Sequence, residues 1–326
     1  MMTTIRPATP ADLAAALDIY NAVYPDHAKT LEETEHFLAG LRDNPLQPHV
    51  QDWLAEVGGR PVGTARLWQA PWMFHPDRYH LELAVLPEFR RRGIGAALFG
   101  TAQRHWQGRG AREVLAGAKE TEADALPMLE RQGFREVMRF FDNVLRLDGF
   151  DAAQWEAEMR LPEGVRAATF ADLQTELGEE AAWLAYYACQ TEARLDVPRT
   201  APATHTPFEE FVKHRSQPRL VPENIWLAVT EGSEVVALSE LWRDSSDPAR
   251  LNIGLTGTRR AWRRRGLGLA LKLRGMVQAQ QHGIREIWTS NASNNAPMLA
   301  LNDRLGFRRQ PAHVECQWGG AEDRRA

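Results

Sequence analysis

The order of apolar and polar positions along this chain predicts a series of short strands and amphipathic helices, and then predicts the same series again. In the first half a strand around Thr4–Arg6 leads into a helix from near Pro10, where Ala11, Leu13, Ala14, Leu17 and Ile19 give an apolar face at helical spacing. A second helix is predicted from about Leu31 to Leu41. Strands follow at Trp53–Val57 and Val62–Trp68, joined by the turn signal GGRP, and a third at Tyr79–Leu86 is stopped by Pro87. Next come a helix with Ile94, Ala97 and Leu98 on one face, a strand at Arg112–Leu115 and a helix ending near Arg131. Gly133 sits just past that helix, and a last strand pair begins at Phe134. An antiparallel meander feeding a β-α-β crossover predicts an α/β fold, a mixed and mostly antiparallel sheet flanked by helices.

The second copy is legible residue by residue. IRPATPADL from Ile5 recurs as VRAATFADL from Val165, and WLAEVGGRPVGTARLW from Trp53 as WLAVTEGSEVVALSELW from Trp226. RRRGIGAAL from Arg90 recurs as RRRGLGLAL from Arg263, and QGFR from Gln132 as LGFR from Leu305. Matches in the same order at similar separations make a duplication. Pro162 and Gly164 break the chain before the second copy, so the expected domains are residues 1–152 and 163–326, a division that suits 326 residues. The repeat-matched Trp53, Trp68, Trp226 and Trp242 are read as core.

Charge and composition narrow the function. A net charge of −4 argues against a nucleic-acid partner, which calls for a basic excess. No apolar run reaches the ~18 residues of a membrane helix, and the N-terminus has no secretory pattern, so a cytoplasmic monomer or homodimer is expected. Cys189 and Cys316 have no CxxC-type neighbours, so reduced thiols and no metal site are expected.

The chemistry concentrates in one loop, present twice. Each half runs strand, R-x-x-G-x-G, helix, with Arg90, Gly93 and Gly95 in the first copy and Arg263, Gly266 and Gly268 in the second. Glycines bring backbone N–H groups close to a ligand, and the helix N-terminus behind them adds open donors and a positive dipole end. Arg90, Arg91 and Arg92, with Arg263, Arg264 and Arg265, add charge for a diphosphate and a further phosphate. A dinucleotide-binding loop fits less well: Leu98 stands where its third glycine belongs.

RRRGIG and RRRGLG, each after a strand and opening a helix, resemble motif A of the GNAT superfamily of N-acetyltransferases, as does LAVLPEFRRRGIGAALF as a whole. NNAPMLALNDRLGF, from Asn294, resembles motif B, and QGF from Gln132 matches its end in the first copy. The resemblance covers both halves and implies two tandem domains with splayed sheets, acetyl-CoA as the acyl donor, and a small-molecule or peptide amine as acceptor. It implies that backbone around Ala84, Val85, Gly257 and Thr258 holds the pantetheine arm. The diphosphate would lie on Arg90–Ala96 (through Gly93, Ile94 and Gly95) and on Arg263–Leu269 (through Gly266, Leu267 and Gly268). Asn291 or Asn295 matches the family asparagine that bonds pantetheine; the first copy has Ala118 and Glu122 there.

Three catalytic needs follow: a base for the amine, donors for an oxyanion, and a proton for the thiolate. The family tyrosine that supplies the last is replaced by Leu129 and Asn302, of which only Asn302 can hydrogen-bond the sulfur. Base candidates are Glu82, with His80 on the same strand face, in the first copy, and Glu240, Asn252 or Thr256 in the second. Surface roles for Glu82, His80 and Glu240 remain alternatives. The fuller motif B, with Asn291, Asn294, Asn295 and Asn302, favours the C-terminal half as catalytic. The segment from Glu192 to Asn224 is expected to cap the acceptor site. A binding module that holds acyl-CoA without turnover is the rival reading.

Overall fold

The computed structural model describes residues 3–319. In the first copy the elements run β1 (Thr3–Pro7), α1 (Leu13–Val23), α2 (Leu31–Arg42), β2 (Val50–Val57), β3 (Arg60–Trp68), β4 (Arg78–Val85), α3 (Ile94–Gly108), β5 (Glu113–Lys119), α4 (Ala125–Arg131) and β6 (Arg135–Arg146). The second copy continues with β7 (Val165–Thr169), α5 (Phe170–Leu177), α6 (Glu179–Leu195), α7 (Phe208–Arg215), β8 (Leu220–Thr230), β9 (Val235–Arg243), β10 (Arg250–Thr258), α8 (Leu267–Gln281), β11 (Glu286–Ala292), α9 (Ala296–Arg304), β12 (Arg308–Arg309) and β13 (His313–Gly319).

The repeated TPAD and TFAD tetrads show why the first helical segments start alike. Thr9 N–H donates to Asp12 Oδ2 at 2.7 Å, and Thr169 N–H to Asp172 Oδ2 at 2.8 Å, closing the same capping box in both copies. Arg6 clamps Asp12 through two hydrogen bonds of 2.8 Å each and reaches Glu56 at 2.7 Å, tying β1 to the turn that follows it.

The chain folds as two compact units. The first comprises the residues up to 139, 200–205 and those from 313, and the second 140–199 and 206–312. Contiguous halves, 1–152 and 163–326, are the sequence expectation; as folded, the last strand, β13, belongs with the first unit. The strand pair expected from Phe134 is likewise a single strand. β6 runs for 12 residues without a Gly or Pro to turn it, so it provides no hairpin partner.

In the first unit the strand order is β1-β2-β3-β4-β5-β13, antiparallel except for the parallel pair β4–β5. In the second, the Phe140–Arg146 portion of β6 is followed by β11, β10, β9, β8 and β7, antiparallel except for β10–β11. Period-2 alternation sorts side chains to the two faces. In β2, Trp53 and Ala55 join Leu98, Phe99, Trp106 and Val314 under α3, while Leu54 joins Ile19 of α1 on the other side. The second unit repeats the plan: Phe170, Tyr186, Phe211, Leu227 and Leu238 form one core layer, and Leu241, Leu273, Met276 and Ile287 the other.

Candidate active site

Each unit's sheet opens into a wedge. β4 and β5 pair from Arg78↔Glu113 to Leu81↔Ala116 and then part, although β4 continues to Val85 and β5 to Lys119. β10 and β11 pair only from Arg250↔Glu286 to Asn252↔Trp288, yet β10 runs on to Thr258. Past these points β4 and β10 have no β5 or β11 partner, so their backbone polar groups on that side are available to a ligand. The two wedges differ. β4 stays in unbroken register with β3 from Gly63↔Val85 to Trp68↔His80. β10 has a bulge: Ile253 lies opposite Leu241 and Thr256 opposite Ser239, three steps against two, which leaves an extra residue unpaired at Gly254–Leu255.

The arginine loops close the wedges in matching conformations. Arg91 and Arg264 each have φ 62°, and Gly93 and Gly266 follow at φ 80° and 76° as the N-caps of α3 and α8. A Cβ at either glycine would touch nothing, so it is the left-handed φ that selects glycine there. Arg90 Nε donates to Val85 O at 3.2 Å and Arg263 Nε to Thr258 O at 3.3 Å, the same tie from loop to strand in both units. Neither helix has a side-chain cap or an acidic residue in its first turn. Open N-terminal donors behind exposed arginines fit a diphosphate. Two of the arginines meet carboxylates: Arg91 pairs with Asp124, and Arg263 with Asp196, which also takes Arg260 at 2.8 Å. Arg92 and Arg265 are exposed and lie over Phe89 and Trp262, at 5.2 Å and 4.6 Å from the ring centres.

Beside the β10 bulge is a cavity of about 450 Å³ walled by α6, β9 and β10 and by the segments around α7. Glu240, on β9, is 1% exposed and faces it. Its Oε1 accepts from Tyr186 Oη at 2.7 Å and from Arg215 Nη1 at 3.0 Å, and its Oε2 from Trp242 Nε1 at 3.1 Å. Arg215 also donates to Tyr186 Oη at 2.6 Å and lies over the Phe211 ring at 4.7 Å. Burial pushes the Tyr186 hydroxyl well above its ordinary range, so it remains a donor. Gly254, in the bulge, packs directly on this carboxylate and on Trp242 Nε1.

The first unit has a different interior at the same place. Its cavity is only about 50 Å³, and Arg66 there is matched by Asp52 at 2.7 and 3.0 Å. Arg66 occupies the position that Glu240 has in the repeat, so the charge is inverted. The Tyr24 hydroxyl donates to Leu83 O of β4 at 3.3 Å, filling part of the wedge wall.

Two stretches, 13–134 and 183–307, match the family model described as "Acetyltransferase (GNAT) family". The chain belongs to the GNAT acetyltransferase family. It is an enzyme of that class, an N-acetyltransferase with the family domain in tandem. Among curated relatives, a mycothiol acetyltransferase of Pseudarthrobacter chlorophenolicus is 28% identical over 240 residues, covering 72% of this chain and 68% of that protein. Among solved structures, a tandem GNAT protein from the clavulanic acid biosynthesis pathway aligns with TM-score 0.72 at 20% identity, over 97% of this chain and 98% of that one. A GNAT protein from Sphaerobacter thermophilus aligns with TM-score 0.67 at 23% identity, over 97% and 95%. These two likenesses concern the fold.

Within this GNAT frame the residues singled out by sequence fall into three groups. The arginine loops Arg90–Ala96 and Arg263–Leu269 follow closely on the strand ends Ala84–Val85 and Gly257–Thr258; among these residues Ala84, Val85, Ile94 and Leu267 are buried in the cores, while the arginines are exposed. Two of the motif B asparagines are linked, Asn302 Nδ2 donating to Asn291 Oδ1 at 2.6 Å, and Asn143 of β6 donates through its Nδ2 to the same oxygen at 3.4 Å. Asn302 is fully buried and its Oδ1 accepts from Lys272, so it acts on Asn291 rather than opening to the wedge. Burial draws the Lys272 ammonium down to about 7. Asn295 is the N-cap of α9.

The third group departs from expectation. His80 is not on a solvated face: it stacks near Trp68 at 5.0 Å, and burial lowers it to about 4. Glu82 is half-buried beside the small cavity, and Glu240 is core rather than surface. Trp53 and Trp68 are buried as expected, but Trp226 and Trp242 are only partly so, and Trp242 lines the large cavity. Asn252 donates to Asp244 at 2.8 Å, and Thr256 meets Ser239 at 3.0 Å, so neither is poised as a base. Sequence reading missed Tyr186, Arg194, Arg199, Arg215, Arg219 and Gly254. The available signal was a lone Glu inside the apolar run VVALSELW. Cys189 and Cys316 are buried free thiols. Among the described residues no cluster could hold a metal, and no helix is long and apolar enough to cross a membrane.

Proposed function

We propose that this enzyme transfers an acetyl group from acetyl-CoA to a primary amine of a small molecule or peptide, and that the second unit carries the reaction. The observation that bears most weight is a coincidence within that unit: bulged strand, open wedge, cavity and buried carboxylate all lie together around Gly254. The bulge takes Gly254–Leu255 out of the β9 ladder, and past Asn252 the same strand has no β11 partner, so backbone N–H groups here are available to a carbonyl oxygen gaining negative charge. Glu240 is the base. It takes the proton that the acceptor nitrogen loses as that nitrogen becomes acylated, while Arg215 and Tyr186 hold the carboxylate in one orientation. Acetyl-CoA supplies the activated thioester, with Arg263–Leu269 and Asn291 as its holding groups. Asn302 and Lys272 position Asn291, and no side chain of this chain is assigned as the acid for the thiolate.

The first unit supports the other reading of a GNAT domain, a coenzyme-binding module without turnover. Its loop keeps the phosphate-binding conformation, but its strand has no bulge, its cavity is small, and Arg66 replaces the base. Calorimetry with CoA is therefore expected to give two sites, both weakened by salt because arginines contribute. Thiol release from acetyl-CoA with a panel of amines, opening with the acceptor implied by the names of the mycothiol acetyltransferase relatives, is expected to show multiple turnovers. An absence of CoA binding, or of turnover with every amine, rejects the proposal. Reversing the charge of Arg92 and Arg265 together is expected to abolish CoA binding in a protein that remains folded, since both are exposed.

A further inference from the structure

The cavity beside Glu240 has an unbalanced charge. Its wall includes Arg194, Arg199, Arg215 and Arg219 but a single carboxylate, that of Glu240. Arg215 uses that carboxylate at 3.0 Å. Arg219 Nε donates to the backbone oxygen of Arg243 at 2.9 Å. Asp196, two residues beyond Arg194, is turned to Arg260 and Arg263 instead. Arg194 itself has no hydrogen bond from its guanidinium and no ion pair among the described residues, and Arg199 donates only to the Arg194 backbone oxygen. Burial, and after it Arg199 and Arg215, make the Arg194 charge harder to hold, and Glu240, already engaged by Arg215, offsets this only in part, so the cation is left without a full partner within the chain.

The first unit provides an internal comparison. There the one arginine of the small cavity is matched bidentately by Asp52, with Glu82 directly across the strand pair. A fold that neutralises an arginine in one copy and leaves guanidinium groups unmatched in the other has kept the second set for something else. Arginine is suited to this, since its planar fork binds carboxylate and phosphate through paired donors. A cavity of about 450 Å³ also suits a small molecule.

Resting on the reading of this cavity as the acceptor site, we propose that the acceptor amine carries an anionic group, a carboxylate or a phosphate, held by Arg194 and Arg199. Glu240 then faces the amine end and the arginines the acid end, so one cavity selects for charge of both signs on one molecule.

The test uses the full chain saturated with CoA, so that the phosphate loops are filled. Matched amines serve as probes: O-phosphoethanolamine against ethanolamine, and a set of amino acids against their amides. Calorimetry is expected to detect at least one anionic member, with affinity falling at least about tenfold in Arg194→Gln/Arg199→Gln. Arg194→Gln alone is expected to melt no lower than the parent, because it removes an uncompensated charge. Equal affinity in the double variant, or no binding by any anionic member, overturns the inference. Thiol release is read separately, with kcat/KM expected to favour the anionic member of a pair, mainly through KM. Turnover that favours the neutral members sinks the anionic acceptor and leaves acetyl transfer standing. Anion binding lost in the double variant, with no amine turned over, does the reverse. Phosphate-bearing against carboxylate-bearing probes decide which anion the site takes.

Discussion

Gly254 has no space for a side chain. A Cβ there would lie 2.4 Å from Trp242 Nε1 and 2.6 Å from Glu240 Oε2, so Gly254→Ala must displace the carboxylate or the bulge. Turnover is expected to fall roughly 10- to 100-fold with CoA affinity unchanged, a misplacement effect rather than a binding effect. Glu240→Gln is expected to lower kcat by roughly 10²–10⁴-fold, the usual contribution of a general base. It should also lower Tm, because Arg215 would be left buried without its counter-charge, a loss of about 3–5 kcal/mol. Parental turnover in the folded Gln variant would remove Glu240 from the mechanism. Titration of the first unit tells a separate story. His80, held by burial at about 4 against an ordinary 6.5, stays neutral in the folded state while the unfolded chain takes up a proton. His49 behaves alike, also at about 4, chiefly through burial and next through Arg109. A depressed histidine therefore costs nothing above pH 6.5, and stability is lost as pH falls from there towards 4. Urea titrations across that range should show the loss, and His80→Gln should flatten it. An unchanged slope in the variant would assign the acid sensitivity elsewhere.

The loops that open α3 and α8 offer a clean way to ask which unit works. A Cβ built at Gly95 comes no closer than 3.9 Å to any neighbour, and one at Gly268 no closer than 3.5 Å, both ordinary contacts. Gly95→Glu and Gly268→Glu should therefore fold, while each places a carboxylate at a proposed diphosphate site. Turnover is expected to vanish with Gly268→Glu and largely survive Gly95→Glu, with one CoA site lost in each by calorimetry. The opposite pattern would move catalysis to the first unit, with Glu82 as base. These loops were legible in the sequence because their causes are local: a strand stopped by a turn, a left-handed glycine, a helix start, all written twice. The cavity was not. The seven residues Val235–Leu241 of β9 are buried in a row, so no alternation marks Glu240 as special or separates its face from the other. Arg194, Arg199 and Arg215 lie outside the segments that match between the two copies, and only the tertiary path of the segment around α7 brings them to one wall. Asn302 could be matched to a family position, but its burial against Lys272 depends on helix packing that spacing does not encode.

The molecule as a whole is less separable than its repeat implies. β13 comes last in the chain, yet pairs with β5 along its length, from His313↔Lys119 to Gly319↔Glu113. Val314 and Cys316 are buried in the core of the first unit with Trp106 and Phe134, and Trp318 packs on Trp106 with ring centres 5.9 Å apart. Removing residues 313–326 should therefore damage the unit at the other end of the sequence. Each large apolar side chain so exposed forfeits about 1.5–3 kcal/mol, and the freed β5 edge loses its ladder bonds as well. Against a stability of roughly 5–15 kcal/mol for an ordinary domain, that is enough to unfold it. Hydrogen exchange on the truncated chain is expected to show protection lost from β2 to β5 and α3, with α8, β9 and β10 keeping theirs. Residues 1–152 expressed alone, the first domain as sequence would cut it, should fail to give a cooperative melt for the same reason. A stable, cooperatively folding 1–152 fragment, or a truncated chain in which the second unit loses protection first, would show that β13 is dispensable to the first unit and that the linear boundary is the physical one.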